Sequence, residues 1–274
     1  MELDFLQKLV ALLTLNLGEL CFFGAIMLGL QFLLPAYRNQ KNWDKSSGLD
    51  MLYSFLLTFS TPFFAAFPII AIDTLISRYP ELKTLPHTIA EPLPRLLQLF
   101  AAVVLIDLVS YWRHRIMHMK WLWPIHVIHH SSSRLNWLST ERFHILNYFI
   151  SSFINTLAVQ LLFGAEIAFQ SYLLRRLYNF FIHANVNIDY GFLSYIFVSP
   201  RFHHWHHSFD EQAINKNYCT FFSCIDLLFG TFYLPKDPVA AGHFGVKNRI
   251  EENIFSQFFY PFKTWYRWVR PKKI

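Results

Sequence analysis

Histidines gather in one stretch of the chain at spacings that suit metal binding. Eleven of the 13 histidines fall between residues 114 and 207. Eight of them form one HxxxH motif and two HxxHH motifs: His114 and His118; His126, His129 and His130; His203, His206 and His207. On a helix, His114 and His118 lie one turn apart on one face, so both can bind the same metal ion. We therefore predict that these eight side chains are metal ligands.

The HxxHH spacing favours two metal ions over one. Adjacent helical residues point about 100° apart, so His129 and His130 cannot easily bind one ion from the same face. Two metals, or a distorted turn, would resolve this conflict. His183 is a predicted ninth ligand and His144 a tenth, which together match the needs of a two-metal site. His204 is not expected to be a ligand.

The donor type narrows the chemistry without selecting a metal. Imidazole suits iron, zinc, copper and nickel. A structural zinc site has four ligands, usually including thiolates, whereas these motifs contain no cysteine. On the helix that carries His114, Tyr111 and Asp107 continue the stripe one and two turns back. A carboxylate there could accept the second ring N–H of a ligating histidine and fix its tautomer.

The composition places these motifs in a membrane protein. Hydrophobic residues make up 54% of the 274 residues and charged residues 15%, whereas soluble domains carry about a quarter charged residues. The net charge of +6 is modest, and the chain has neither a lysine-rich tract nor a glycine-rich phosphate loop. Nucleic acid is therefore not an expected partner.

Four apolar runs can position the motifs. A membrane helix needs roughly 20 apolar residues, and the runs cover residues 9–34, 51–72, 96–112 and 145–182. The last run is long enough for two passages or for one hairpin. We predict an all-α membrane bundle of about four transmembrane helices, with a helical cap that carries a histidine-rich two-metal site.

The chain divides into three predicted regions. Residues 1–95 form an N-terminal transmembrane region, residues 96–235 carry the histidine motifs, and residues 236–274 form a basic, aromatic tail. Lysine and arginine are concentrated next to the histidine motifs, which predicts that the histidine region faces the cytoplasm. The interleaved tryptophans and basic residues of the tail suit the headgroup layer of a membrane.

Residues 100 to 235 resemble the fatty acid hydroxylase superfamily, also called the sterol desaturase family of membrane di-iron enzymes. The similarity rests on the three histidine motifs and on the residues around them: Asp107, Tyr111, Arg115, Trp123, Ser131, Asn136, Arg142, His144, His183, Ala184, Asn185, Pro200, Asn217, Tyr218, Asp226, Phe229, Gly230 and Thr231. The chain departs from the family pattern at Ile145 and Asn147, where the family often has proline and glutamate.

The resemblance implies a specific chemistry. It implies two non-haem iron ions, which activate O2 to hydroxylate or desaturate a lipid such as a sterol or fatty acyl chain. It also implies functional roles at the site for Asp107, Tyr111 and Asn185. Since nothing in the sequence is typical of an electron-carrying centre, a separate donor such as a ferredoxin is expected.

A non-redox membrane metal protein is the alternative, either a transporter or a metal-dependent hydrolase or isomerase. A transporter should hold its ligands near the middle of the bilayer. Here the motifs begin at a helix end and continue through polar segments, which favours an enzyme with its site at the membrane surface.

Overall fold

Helices account for all the regular secondary structure that is described. The computed structural model describes residues 2–41, 43–240 and 243–270, and outside its helices these ranges contain two isolated β-bridges. The helices are α1 (Glu2–Leu33), α2 (Lys45–Arg78), α3 (Leu85–Ile89), α4 (Arg95–Met117), α5 (Trp123–His126), α6 (Ile145–His183), α7 (Pro200–His206), α8 (Ser223–Leu228) and α9 (Ile254–Val269). Short 3₁₀ helices lie at Pro80–Thr84, His129–Ser131, Trp137–Glu141 and Gly191–Tyr195.

Four helices are long and apolar enough to cross a membrane. They are α2, α4, α6 and, within α1, residues Leu13–Leu33. The prediction of an all-α bundle with about four membrane helices is therefore confirmed. Each helix covers nearly the whole of the apolar run that predicted it. Some helices are longer than their runs, because polar residues at the ends add further turns.

The longest helix, α6, is folded back on itself. Gly164 has φ 79° and ψ 170°, a conformation that interrupts the helix and that only glycine adopts readily. Asn147 and His183 would lie about 54 Å apart on a straight helix. Instead, Asn147 contacts His126, and His183 contacts His129. The ring centroids of His126 and His129 lie only 5.5 Å apart. α6 is therefore a hairpin, and both of its ends return to the histidine motifs.

The α6 hairpin packs against α4 along its whole length. Ala102 and Ile106 of α4 form an apolar cluster with Val159 and Ile167, which lie on opposite sides of the turn. Nearer the histidines the contacts become polar: Ser110 donates a hydrogen bond to Asn155 at 3.1 Å. Hydrogen bonds between helices of this kind stabilise bundles in hydrocarbon by about 1 kcal/mol.

A buried ion pair joins the cap to the membrane helices. Arg142 is fully buried and donates to the carboxylate of Asp50 at 2.5 Å, near the start of α2. The same guanidinium donates to the Ser46 carbonyl at 2.9 Å, and Asn136 donates to Asp50 at 3.0 Å. The cap segment that follows the second histidine motif is thereby fixed against α2.

Replacing Arg142 with methionine should destabilise the protein strongly, because the Asp50 carboxylate would stay buried without its cation. The expected loss is about 3–5 kcal/mol of unfolding free energy, measurable by thermal or denaturant unfolding in detergent. Lys247→Ala is the control, since its pair with Glu211 is exposed and should contribute little to stability. Equal losses in the two variants would contradict this account.

The last helix, α9, lies against the cap and exposes aromatic side chains. Trp265 donates to the carbonyl of Trp121 at 2.9 Å, and Tyr53 donates to Gln257 at 2.9 Å. On the other face Phe255 is 72% exposed and Val269 71%. An apolar face beside basic residues matches the predicted position in the headgroup layer. Residues 271–274 of the predicted tail lie outside the described part of the chain.

Candidate metal centre

Nine histidine side chains converge into two adjacent groups. The first group contains His114, His118, His126, His130 and His206, and the second contains His129, His183, His203 and His207. Within each group, the ring nitrogens that could bind a metal all lie within 4.8 Å of one another. All eight motif histidines are present, together with the predicted ninth, His183.

The two groups divide each pair of adjacent histidines. His130 approaches His126 of the first group, with 3.3 Å between their Nε2 atoms, whereas His129 approaches His183 of the second at 3.3 Å. The segment His129–Ser131 is a 3₁₀ helix, in which successive side chains point about 120° apart because there are three residues per turn. Adjacent histidines therefore face different groups, which fits the sequence argument for two metals.

Four different helices bring the histidines together. The last turn of α4 carries His114, α5 ends at His126, and the second arm of α6 ends at His183. α7 carries His203 and His206; Pro200 is its first residue, and the Ser199 hydroxyl accepts a hydrogen bond from Phe202 N at 3.2 Å. The sequence separates these elements by up to 93 residues, so the fold itself assembles the site.

Hydrogen bonds at Nδ1 fix the tautomers of four rings. Nδ1 of His114 donates to the Tyr218 carbonyl at 2.8 Å, and Nδ1 of His206 donates to the Lys216 carbonyl at 2.7 Å. His183 donates in the same way to the Asn179 carbonyl at 2.8 Å, and His126 to Oδ1 of Asn147 at 3.0 Å. A neutral ring that donates at Nδ1 carries its lone pair at Nε2, which is the ligating nitrogen.

The inward-facing Nε2 atoms fit a cation. Nε2 of His114 lies 3.0 Å from Nε2 of His126, although both rings already donate through Nδ1. The two lone pairs therefore face each other without a proton between them. Nε2 of His118 and of His206 are buried and have no hydrogen-bond partner. Such unsatisfied acceptors are costly, and a metal ion in each group would satisfy them.

Burial also keeps the rings in their ligating, neutral form. Loss of water lowers the pKa of His126 to about 3 and that of His206 to about 4, because the charged form is disfavoured. Burial, together with neighbouring histidines, lowers the pKa of His130 and His207 well below its usual value. Neutral imidazole is the form that binds metals.

The metal-free protein should lose stability as the pH falls. The unfolded chain binds protons at these histidines below about pH 6.5, whereas the folded chain does not until far lower pH. Each such ring therefore lowers the unfolding free energy by about 1.4 kcal/mol per pH unit below that point. Thermal unfolding after chelation, compared at pH 7.5 and 5.5, should show a lower Tm at 5.5, and His206→Gln should reduce the difference. An unchanged Tm would contradict this.

Asp107 does not hold a ligating histidine, contrary to the prediction. Its buried carboxylate accepts the backbone N–H groups of residues 220–222, at 2.7–3.1 Å. His114 uses the Tyr218 carbonyl in its place. Asp107 thus fixes the loop that supplies this carbonyl, and it acts on the site through the backbone.

Tyr111 and Asn185 also lie in the supporting structure, away from the nine rings. The Tyr111 hydroxyl lies 3.0 Å from that of Thr231 and accepts a hydrogen bond from Arg115. Asn185 pairs with the backbone of Tyr37 through both its amide oxygen and its amide nitrogen. These hydrogen bonds position the segments that carry the histidines, and the predicted functional roles of Tyr111 and Asn185 stay predictions.

His144, the predicted tenth ligand, lies outside both groups. Its Nδ1 accepts the Leu146 N–H at 3.2 Å and caps the start of α6, while its Nε2 donates to the Phe258 carbonyl at 3.0 Å. Both ring nitrogens are therefore occupied. His204 lies outside the groups too, as expected, and its Nε2 donates to the Ala184 carbonyl at 3.1 Å.

Asn147 is a residue of the site that sequence reasoning did not assign. It was noted only as a departure from the family pattern, yet it accepts the Nδ1 hydrogen of His126. That departure from the family pattern was the signal by which the sequence could have identified Asn147 as a residue of the site. An amide is uncharged, so the ring that it orients gains a fixed tautomer without an adjacent negative charge.

A cavity of about 380 Å³ connects the histidines with the interior of the membrane helices. His114, His129 and His183 lie along one part of its wall. Ile69 and Phe169, which belong to the long apolar helices, lie along another. A molecule that is dissolved in the bilayer can therefore be accommodated beside both histidine groups.

Fold and site together define a helical membrane protein with a two-group histidine centre at the end of a cavity. Residues 99–231 match the family model described as fatty acid hydroxylase. This part of the chain is therefore similar to the fatty acid hydroxylase family, which confirms the resemblance found in the sequence.

Known relatives act on several lipids. The chain is 27% identical over 265 residues to ornithine lipid hydroxylase OlsE of Rhizobium tropici, covering 89% of this chain and 76% of the relative. It is 32% identical to the alkylglycerol monooxygenase of Homo sapiens, over 63% of this chain but 39% of the relative. It is also 24% identical to methylsterol monooxygenase 2-2 of Arabidopsis thaliana, over 58% of this chain and 63% of the relative. No solved structure matches the chain.

Proposed function

We propose that this protein is a membrane di-iron enzyme that uses O2 to hydroxylate, or desaturate, a lipid. The observation that carries the proposal is the pair of histidine groups at a cavity that extends into the membrane helices. Nine nitrogen ligands divided five and four suit two metal ions, and imidazole is a good ligand for iron. Each iron would be held by one group.

The residues of the chain orient the histidine rings and keep water away from the centre. The irons, when bound, supply the oxidising power that an unactivated C–H bond requires. The Nδ1 hydrogen bonds hold the rings so that Nε2 faces inward, and burial of eight of the nine histidines limits the access of water to the centre. The cavity would hold the lipid beside the metal centre, so that the reacting part of the lipid has a fixed position and orientation.

The names of the relatives support a lipid substrate. They refer to ornithine lipid, alkylglycerol and methylsterol, which share little besides their solubility in membranes. They also refer to hydroxylase or monooxygenase chemistry, which is why hydroxylation is the leading reaction here. A non-redox metal protein has no comparable support.

Hydroxylation requires an electron donor. One C–H bond, one O2, two electrons and two protons give one hydroxyl group and one water, so each turnover consumes two electrons. We propose that a separate protein, such as a ferredoxin, supplies them from the cytoplasmic side.

The distribution of basic residues supports a cytoplasmic cap. Lys8, Arg78, Lys83 and Arg95 are the basic residues near the end of the bundle away from the histidines. The segments on the histidine side carry many more, including Arg38, Arg134, Lys216 and Arg267. Cytoplasmic loops of membrane proteins carry this excess.

The test is oxidation of a lipid panel by membranes that contain the protein, supplied with ¹⁸O2, a reductant and a ferredoxin system. We expect one ¹⁸O atom in a lipid product, or a new double bond, detected by mass spectrometry. His204→Ala membranes should behave like the wild type, whereas His203→Ala membranes should form no product. Oxidation confined to water-soluble compounds would contradict the proposal.

A further inference from the structure

Two arginines line the cavity without an acidic partner. Arg113 is 9% exposed and donates to the hydroxyl of Ser151 at 2.8 Å, and its Nε is buried without a hydrogen-bond partner. The side chain of Arg175 makes no hydrogen bond to any residue in the described ranges, and its Nε is likewise buried. No described carboxylate lies within 4.0 Å of either guanidinium, although both side chains line the cavity.

The acidic residues of the cavity are occupied elsewhere. Glu19 and Glu141 also line it, but both pair with Arg176, at 3.0 and 3.5 Å. Asp107 attracts Arg175 from beyond salt-bridge distance, and its oxygens already accept three backbone N–H groups. Arg176 therefore takes both glutamates, and Arg113 and Arg175 lack a counter-ion of their own.

Leaving two such cations unpaired is unfavourable for the protein alone. Burying an unpaired charge destabilises a protein, and Arg113 and Arg175 are close enough to repel each other. Charged residues at membrane depth normally pair with each other or contact a ligand. The cost would be removed by an anion between them, and guanidinium groups suit the geometry of carboxylate and phosphate oxygens.

We propose that Arg113 and Arg175 bind the carboxylate or phosphate group of an anionic lipid, which would select acidic over neutral lipids as substrates. The idea that this lipid is then oxidised rests on the proposed function, whereas its binding does not. Arg113 directly precedes His114 in the chain, and Arg175, Asn179 and His183 lie on successive turns of α6 and line the same cavity. The charged end of the lipid would therefore face the histidine groups, and its chain would follow the apolar part of the cavity.

Binding of three single-chain probes with the same 16-carbon chain tests this directly. Palmitate carries a carboxylate, hexadecyl phosphate carries a phosphate, and hexadecanol is neutral. Affinities are measured by calorimetric titration of the purified full-length protein in a non-ionic detergent, without O2 or reductant. The metal content is determined in every sample, so the result does not depend on turnover.

We expect one or both anionic probes to bind at least tenfold more tightly than hexadecanol, and the tighter of the two identifies the preferred headgroup. Arg113→Gln and Arg175→Gln should each remove most of this preference and leave hexadecanol binding unchanged. Arg95→Gln is the control, since Arg95 lies at the other end of α4 and pairs with the exposed Glu166. Equal affinities for all three probes in the wild type, or equal losses for all three in the variants, would overturn the proposal.

Thermal unfolding distinguishes a binding role from a structural role if the glutamine variants bind every probe poorly. If Arg175 is an unpaired cation awaiting a ligand, Arg175→Met should raise the Tm of the probe-free protein, because the uncompensated charge is removed. Palmitate or hexadecyl phosphate should then raise the Tm of the wild type and not that of the variant. A variant with a lower Tm and an undiminished response to the anionic probes would show that Arg175 serves the fold alone.

Discussion

Replacing His129 with alanine should remove one metal ion per chain and lower activity by at least about 100-fold. His129 faces the group that includes His183, and His130 faces the other group. His130→Ala should therefore lower the metal content by a similar amount but from the other site. Removing even a group that orients a metal ligand costs about 10- to 100-fold in affinity or activity, and loss of the ligand itself should cost more.

The controls are two histidines outside both groups. His204→Ala and His144→Ala each remove an imidazole from the same cap, yet both rings bond to backbone groups. They should retain the full metal content, although His144→Ala removes a helix cap and should cost about 1 kcal/mol of stability. Full metal content and turnover in His129→Ala, or metal loss in His204→Ala equal to that in His129→Ala, would contradict the assignment.

Turnover should depend entirely on an external electron donor. Each hydroxylation needs two electrons, and O2 and the lipid alone do not return them to a metal centre held by the two histidine groups. With substrate and O2 alone, the purified protein should complete no more than a single turnover. Addition of a ferredoxin, its reductase and NADPH should restore continuous product formation.

A ferredoxin without its reductase and NADPH is the matched control for that experiment. It should give no more product than the protein alone, because it cannot be reduced again. Sustained turnover with no reductant present would refute the proposed reaction, since the oxygen chemistry would then draw its electrons from the lipid itself.

The sequence predicted which histidines converge better than it predicted their surroundings. Histidine spacing identified eight of the nine side chains that the fold brings together, because imidazoles in repeated motifs have few structural explanations, and His183 was predicted from its place between the motifs. It also predicted the four apolar helices, whose length depends only on local composition. The division of the chain at residues 95 and 235 stays a prediction.

Other features of the site and the fold were not predicted, because they depend on backbone geometry or on contacts between residues far apart in the sequence. The helical stripe placed Asp107 next to the ligands, but its carboxylate meets backbone N–H groups more than 110 residues further along. The partition of His129 and His130 depends on a 3₁₀ turn, which the motif alone does not specify. Gly164 makes α6 a hairpin through a backbone conformation that the sequence left open.

His144 shows the same limit at the level of one side chain. Its place between the motifs predicts a tenth ligand, but its ring caps α6 and bonds to the backbone of α9. The unpaired state of Arg113 and Arg175 also depends on where the acidic side chains lie after folding, since Glu19 and Glu141 both reach Arg176.

The central claim is that each histidine group holds one iron. The most direct measurement is elemental analysis of the full-length protein purified without oxygen, with iron, zinc, copper and manganese counted per chain. The account predicts two iron ions per chain in the wild type and about one in His129→Ala. A single ion per chain, or zinc as the main metal in fully active protein, would contradict it.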